Sequence, residues 1–588
     1  MLLHLPSAQY HLIMKKIFTL VFVSISLSAA AQFVNNPATN TVVSDAPAIE
    51  EAVPIIGLDR AVNNTFVTYF NQNGTGTYDF SMQVLDYAGN RAFSPNGSTI
   101  SSYPQSTAVF KYDMKVAPDN SFVTAFQDER SGILDVVAYR MSASGGFLWS
   151  TAGIPLTDPA AAGGIGPAVG IMSNGDAVIA WQADGTPKDW ISFQRISLGG
   201  NVFWPGAPKR IIDSTFTVGY ITPQVIPMDN GEFMICYYRA VGNFGLPSCT
   251  MYMQRYDING NAVWAQPVQL STFLVPFFSF PSVISDGSNG AYIAYQSGNL
   301  TSPSLNEVFL QHIDATGNLW SINGTNAGTG VSSQRMSPKV RFTPTMPYPM
   351  VLMKETDPGQ SSAGVTVQSF DPLTGAALWL PDGIPVTPIT AAYDEPYDMQ
   401  ELCGNMIIIY GEGSFGNNTM YATKIDYLGA TQWATPSIAI STVASNKSRG
   451  QLTPENLITG LNPQVVAVWE DERNDRGIYA QNISCDGTMG PLSSGLSPTV
   501  KPEWAVSVYP NPAAKYLRVY AEHNEKVSLV VTDALGRTVA QRDGVWMVSG
   551  MNEFTVASVV QGAVLAPGVY HMTIRSAQAQ QQVRMVVE

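Results

Sequence analysis

Between residues 57 and 494 of this 588-residue chain a single pattern recurs eight times, and that recurrence limits the possible folds more than any other feature. Its clearest part is a strand-like run that enters a turn closed by glycine, at Gly89, Gly145, Gly200, Gly260, Gly317, Gly375, Gly429 and Gly487. The spacings run from 54 to 60 residues, the signature of stacked supersecondary units. A second run in each unit, such as Ala177-Val178-Ile179-Ala180-Trp181 or Met406-Ile407-Ile408-Ile409-Tyr410, is apolar at nearly every position. Such a run predicts a strand buried on both faces. Six units carry a tryptophan soon after the glycine: Trp149, Trp204, Trp264, Trp320, Trp379 and Trp433. Packing between neighbouring sheets is the expected use of these rings.

About four strands per unit at this period predict an all-β fold, a β-propeller of about eight four-stranded blades, or seven if one unit is degenerate. A β-solenoid repeats in far fewer residues, and the 3.6-residue periodicity of helical repeats is missing. Unit eight lacks a clear fourth strand and a tryptophan after Gly487. The stretch Asn40 to Pro47 resembles the end of unit two, Gly153 to Pro159. Residues 32–56 are therefore expected to supply the missing strand and close the ring.

Charged residues make up 13% of the chain, about half the usual share, so Asn, Ser, Thr and Gln must cover the surface. With a net charge of −14 there is no basic patch to meet nucleic acid or anionic lipid. Four cysteines form no disulfide framework. Cys236 and Cys249 flank a predicted hairpin loop, and Cys403 and Cys485 fall in neighbouring units. Either pair can close in an oxidising compartment, or all four stay thiols.

The N-terminus reads as a secretory signal over residues 1–31, with its natural start at Met14. Lys15 and Lys16 precede the apolar stretch Ile17 to Leu27, too short to span a bilayer, and Ala29-Ala30-Ala31 offers an A-x-A site before Gln32. Cleavage is expected at Ala29, Ala31 and Gln32, and no transmembrane segment is expected in the mature chain.

Candidate chemistry is sparse. Of five histidines only His312 lies in the repeats, where a solvated strand residue is the expected reading. That leaves no His-based triad or multi-His metal site there. The remaining catalytic option is paired carboxylates in the loops between second and third strands: Asp128 and Glu129 in unit two, and Glu470, Asp471 and Glu472 in unit eight. Arg130 and Arg473 stand beside them, as Arg476 does beside Asp475, so salt bridges at the loop base are expected instead. The Asp-x-x-Gly turns at Asp257, Asp314 and Asp426 lack the Ser-x-Asp-x-Gly order of the sialidase Asp-box. They predict turns in which aspartate bonds its own backbone. No cofactor, calcium or phosphate-binding motif is present.

After a linker at 495–503, residues 504–588 change character. They carry Pro510-Asn511-Pro512 behind Tyr509, then Leu517-Arg518-Val519, then Asp533 to Gly536-Arg537, then Leu565 to Gly568 and Tyr570. The alternation predicts a small immunoglobulin-like β-sandwich of about seven short strands. These four motifs, in this order and flush with the C-terminus, resemble the type A sorting domain of type IX secretion. A longer stretch, Ala557 to Val564, precedes the last motif and bears on the local strand register. The resemblance implies recognition by the type IX machinery at the outer membrane, removal of the domain by its sortase, and release or attachment to surface lipopolysaccharide. The repeats in turn resemble propeller-like units of Bacteroidota surface proteins, best at Val466-Ala467-Val468-Trp469-Glu470-Asp471-Glu472-Arg473 and Ile478-Tyr479-Ala480-Gln481. That likeness implies fold and compartment and no activity.

The expected function is a secreted or surface propeller, not an enzyme, that binds a glycan, polymer or protein ligand. An extracellular hydrolase on this scaffold would need two unpaired carboxylates facing the central cavity, and a structural surface component would need neither.

Overall fold

The computed structural model describes residues 32–588 except 75, 106–110, 243–246, 299–305, 331–332, 380, 391–392, 458–461, 492–503, 506–515, 522–524, 534–536, 549, 556–564, 576–579 and 588. The described residues form strands and no helix, in two units that divide at Leu492 and Ser493.

The first unit is a propeller of eight four-stranded antiparallel blades. Their inner strands are Glu51–Asp59, Asp113–Val116, Gly164–Ile171, Gly219–Pro227, Ser282–Ser285, Gln334–Arg341, Glu395–Leu402 and Lys447–Leu452. Each packs beside the next, and the eighth beside the first. The ring is closed by Thr41–Ser44, which pairs antiparallel with Gly477–Ser484 as the outer strand of blade 8. The first blade thus begins at Glu51, earlier than the boundary at 57. A β-bulge between Ala52 and Ile55 hides that start by breaking the two-residue alternation, with Val53 at φ 57° and Pro54 beside it. The same bulge recurs in blades 3, 4, 6 and 8, at Gly166, Thr222, Ser337 and Arg449.

The core is divided among the joints between blades. Among the described residues of the propeller, eight clusters of buried apolar side chains are each drawn from two adjacent blades. That is why the second strands are apolar on both faces: Phe122–Asp128 and Gln464–Asp471 are buried at every position. The joint between blades 1 and 2 is aromatic, with Phe80 stacked on Phe126 at 4.1 Å between ring centroids.

The repeated tryptophans interlock these joints. Each lies against the turn glycine of the following blade: Trp149 on Gly200, Trp204 on Gly260, Trp264 on Gly317, Trp320 on Gly375, Trp379 on Gly429 and Trp433 on Gly487. Gly260 has φ +74°, and a Cβ there would stand 2.6 Å from the Trp204 ring, so backbone conformation and close approach both require glycine. Two joints use phenylalanine instead. Phe93 lies against Gly145, and Phe33 from the N-terminal segment lies against Gly89. Phe33 is 1% exposed and completes the set of eight.

Polar staples reinforce the same joints. Arg195 donates to Asp176 of its own blade and to the carbonyl of Ile258 in the next, and Arg255 does the same with Glu232 and Ala315. Of the two cysteine pairings the sequence left open, one is made. Cys403 and Cys485 form a disulfide between blades 7 and 8, whereas Cys236 and Cys249 are separate buried thiols. Cys236 pairs in register with Met253 and Cys249 with Ala240, which puts the two about four residues, roughly 13 Å, apart along neighbouring strands. A disulfide needs Cα atoms within about 7 Å.

The second unit contains two antiparallel sheets. One has three strands, Trp504–Ala505, Tyr516–Ala521 and Gly550–Thr555. The other has four, Thr538–Met547, Glu525–Asp533, Gly568–Arg575 and Gln580–Val587. Leu529, Val531, Met547, Met572 and Ile574 form its buried apolar face.

Candidate functional site

Antiparallel order within each blade sorts the connections onto two faces. Loops between the third and fourth strands, with their interlocking aromatic residues, share one face with the first turns. Loops between second and third strands share the other with the crossovers between blades.

On the interlocked face the aspartate turns close as expected. One carboxylate oxygen of Asp314 accepts the N–H groups of Thr316 and Asn318, and Asp257 and Asp426 repeat the arrangement. Burial opposes ionisation of Asp314, but these bonds and the Thr316 hydroxyl hold it at about 2. His312 departs from the expectation of a solvated residue. Its Nε2 lies 2.8 Å from Asp286, and its ring packs beside Tyr292 and Trp320. It occupies the place of Arg195 and Arg255 and makes the same in-blade staple.

On the loop face, the weighed carboxylates are engaged. Asp128 is 1% exposed and accepts from the backbone N–H, Nε and Nη2 of Arg130, whose guanidinium also lies 4.2 Å over the Tyr103 ring. Asp471 accepts from Arg473, the Ser445 hydroxyl and Trp469 Nε1. Burial raises its pKa, yet the Arg473 and Ser445 bonds outweigh that and hold it below the usual range. Glu470 accepts the bulge N–H of Val53 together with Arg449 and Ser448. Asp475 accepts the N–H of Ala48, and Glu472 pairs with Arg476. Each of these carboxylates is thus already paired on at least one oxygen, while Oδ1 of Asp475 is buried with no hydrogen-bond partner. Among the described residues no group of three or more His, Cys, Asp or Glu is placed to hold a metal ion.

The same face carries a cleft of about 170 Å³ at the joint between blades 6 and 7. Its walls come from Met336 on an inner strand, Lys354 and Thr356 at the end of a second strand, Gln360 and Ser362 on the following loop, and Tyr393 ahead of the next inner strand. Asp357 shapes the loop by accepting the N–H groups of Gly359 and Ser362. Lys354 Nζ is 2.6 Å from Glu395 and 4.1 Å over the Tyr393 ring. Tyr393 N–H donates to Gly413 at 2.6 Å, and its ring meets Phe415 edge-on at 5.9 Å. Phe415 tips the neighbouring hairpin at 87% exposure. In the cleft wall, Thr356 is 2% exposed and its hydroxyl has no hydrogen-bond partner. A buried hydroxyl left unpaired is costly to the fold. Sequence reasoning missed this site, because none of its residues belongs to a repeated motif.

A second exposed group, Phe273, Phe278 and Phe280, lies on the crossover from blade 4 to blade 5. Lys111 stands 5.9 Å over the Phe280 ring, with its pKa drawn down to about 8 by burial.

Of the predicted sorting residues, Asp533, Leu565, Gly568 and Tyr570 are described, and Pro510, Asn511, Pro512 and Gly536 lie outside the described residues. Asp533 and Tyr570 stand opposite each other on paired strands. Asp533 accepts both N–H and Nε–H of Arg537, which closes the hairpin, and the Tyr570 hydroxyl donates to the carbonyl of Ala566. At the other end, Ala29 and Ala31 lie outside the described residues, and Gln32 is exposed directly before buried Phe33.

Residues 507–588 match the family model for the secretion system C-terminal sorting domain. No curated protein matches the sequence. Among solved structures, the chain is similar to a protein of unknown function from Dyadobacter fermentans, 12% identical over 54% of this chain and 93% of that one, with a TM-score of 0.32. It is also similar to a Penicillium chrysogenum alpha-L-arabinanase complexed with arabinobiose, 13% identical over 53% and 92%, with a TM-score of 0.30. An endo-arabinase from Bacteroides thetaiotaomicron is 11% identical over 44% and 92%, with a TM-score of 0.27. The family match and the ordered motifs at Asp533, Gly568 and Tyr570 identify the C-terminal unit as a type IX secretion sorting domain, and so the chain as one marked for export.

Proposed function

We propose that this chain is a secreted or cell-surface binding protein whose propeller holds an extracellular ligand at the cleft between blades 6 and 7 without turning it over. Residues 1–31 direct it across the inner membrane and are removed after Ala31. The sorting domain then engages the type IX machinery and is removed by the sortase as the propeller is released or attached to the surface. The observation that carries the binding reading is the cleft itself, lined by Gln360, Ser362 and Tyr393, with exposed Phe415 against the Tyr393 ring. Against an acid–base role stands the engagement of Asp128, Glu470 and Asp471.

The test is an array of glycans, polysaccharides and envelope proteins probed with purified protein, run beside a broad glycosidase panel. Selective binding without turnover is expected. Turnover abolished by Asp471→Asn would replace the reading with a hydrolase, and silence on both would favour a structural role.

A further inference from the structure

The ligand class follows from the chemistry of the cleft, on the premise that the cleft is the binding site. We infer that it takes an uncharged saccharide, with the sugar ring against Phe415 and Tyr393 and its hydroxyls directed to Gln360 and Ser362. A sugar ring has a C–H face and a rim of hydroxyls, and the cleft offers an aromatic edge beside amide and hydroxyl groups in the same arrangement. Its volume suits one sugar ring and not an extended polypeptide.

Charge decides against acidic sugars. Lys354 is the cationic side chain lining the cleft, and it is already committed to Glu395 at 2.6 Å and to the Tyr393 ring. Asp357, Asp394, Glu395 and Glu412 stand on the same loops and strand start, so a uronate or sulfate would meet carboxylates with no cation to receive it. A peptide in strand form is also disfavoured. Met350–Thr356 pairs on both sides, with Gln334–Arg341 and with Ala363–Ser369, and offers no open edge.

The experiment uses the chain from Gln32 to Glu588 in affinity electrophoresis and calorimetry. The probes are a soluble neutral glucan, mannan and xylan beside polygalacturonate and dextran sulfate. Retardation by at least one neutral polysaccharide and by neither acidic one is expected. Phe415→Ala alters a side chain 87% exposed, and Ser362→Ala removes one half-buried hydroxyl, so both should keep the wild-type melting temperature. Each should weaken neutral binding about tenfold, one lost contact on the affinity scale. Retention by the acidic polymers alone, or neutral binding unchanged in both variants, would overturn this assignment while leaving the binding reading in place. Binding to an envelope protein alone would overturn it in the same way. No binding to any glycan or envelope protein would overturn both.

Discussion

Replacing Phe33 by alanine tests how the ring is held shut. Phe33 is 1% exposed, donates its N–H to the Ala88 carbonyl and packs against Gly89 of blade 1, while the strand that follows, Thr41–Ser44, completes blade 8. Truncating a buried phenylalanine to alanine costs about 3–5 kcal/mol through lost transfer energy and the cavity left behind. The interlocks inside the ring join segments held on both sides, but this one anchors a chain end. The loss should therefore appear as local opening of the closing strand instead of global unfolding. At about 1.4 kcal/mol per factor of ten, amide exchange in Thr41–Ser44 and its partner Gly477–Ser484 should accelerate roughly 10²–10⁴-fold. Exchange in Phe233–Val241, on blade 4, should stay unchanged. Hydrogen exchange read by mass spectrometry on peptides from the three strands measures this directly. Acceleration below tenfold at the closing strand, or equal acceleration in all three, would refute the reasoning.

Gly260→Ala should destabilise the propeller by about 2–4 kcal/mol, the sum of left-handed backbone strain and a clash with Trp204. Gly206→Ala has φ +91° and open space around the added methyl, so denaturant titration should show only about 1–2 kcal/mol. Glu51 is fully buried beside the closing strand. Burial raises its pKa to about 7 against the bonds from Ala46 N–H and the Ser44 hydroxyl, and Asp45 and Asp475 add repulsion. Its folded pKa exceeds the unfolded value of 4.5, so its contribution is fully present below pH 4.5 and lost as pH rises through about 7. The melting temperature should fall over that window more in the wild type than in Glu51→Gln, and equal slopes would count against this reading. Reducing Cys403–Cys485, which spans 82 residues, should cost up to about 4 kcal/mol by chain entropy. A thiol reductant should lower the wild-type melting temperature and leave a Cys403→Ala, Cys485→Ala double variant unmoved.

Much of the fold was legible because its rules are local. The turn glycines at Gly89 to Gly487, the aspartates that bond their own backbone, and the doubly buried second strands each follow from backbone conformation or two-residue alternation. The six interlocking tryptophans were visible for the same reason, and Phe93 was within reach, since it follows Gly89 by four residues as Trp149 follows Gly145. Phe33 was not, because it joins the ring from the other end of the chain. The inner strand of blade 1 was obscured where Val53 and Pro54 form a bulge that breaks the alternation. His312 read as solvated because nothing in its neighbours announces Asp286, 26 residues away.

What the sequence determined by itself, then, is the repeat, the all-β class, the need for a closing strand and the sorting domain, since each is written in residues close together along the chain. Only the tertiary structure decided that Arg449 meets Glu470, which cysteines meet, and that Lys354, Gln360 and Tyr393 line one cleft with Phe415 beside Tyr393. Those outcomes depend on side chains from different strands, loops or blades meeting in space, and separation along the chain carries no information about that distance.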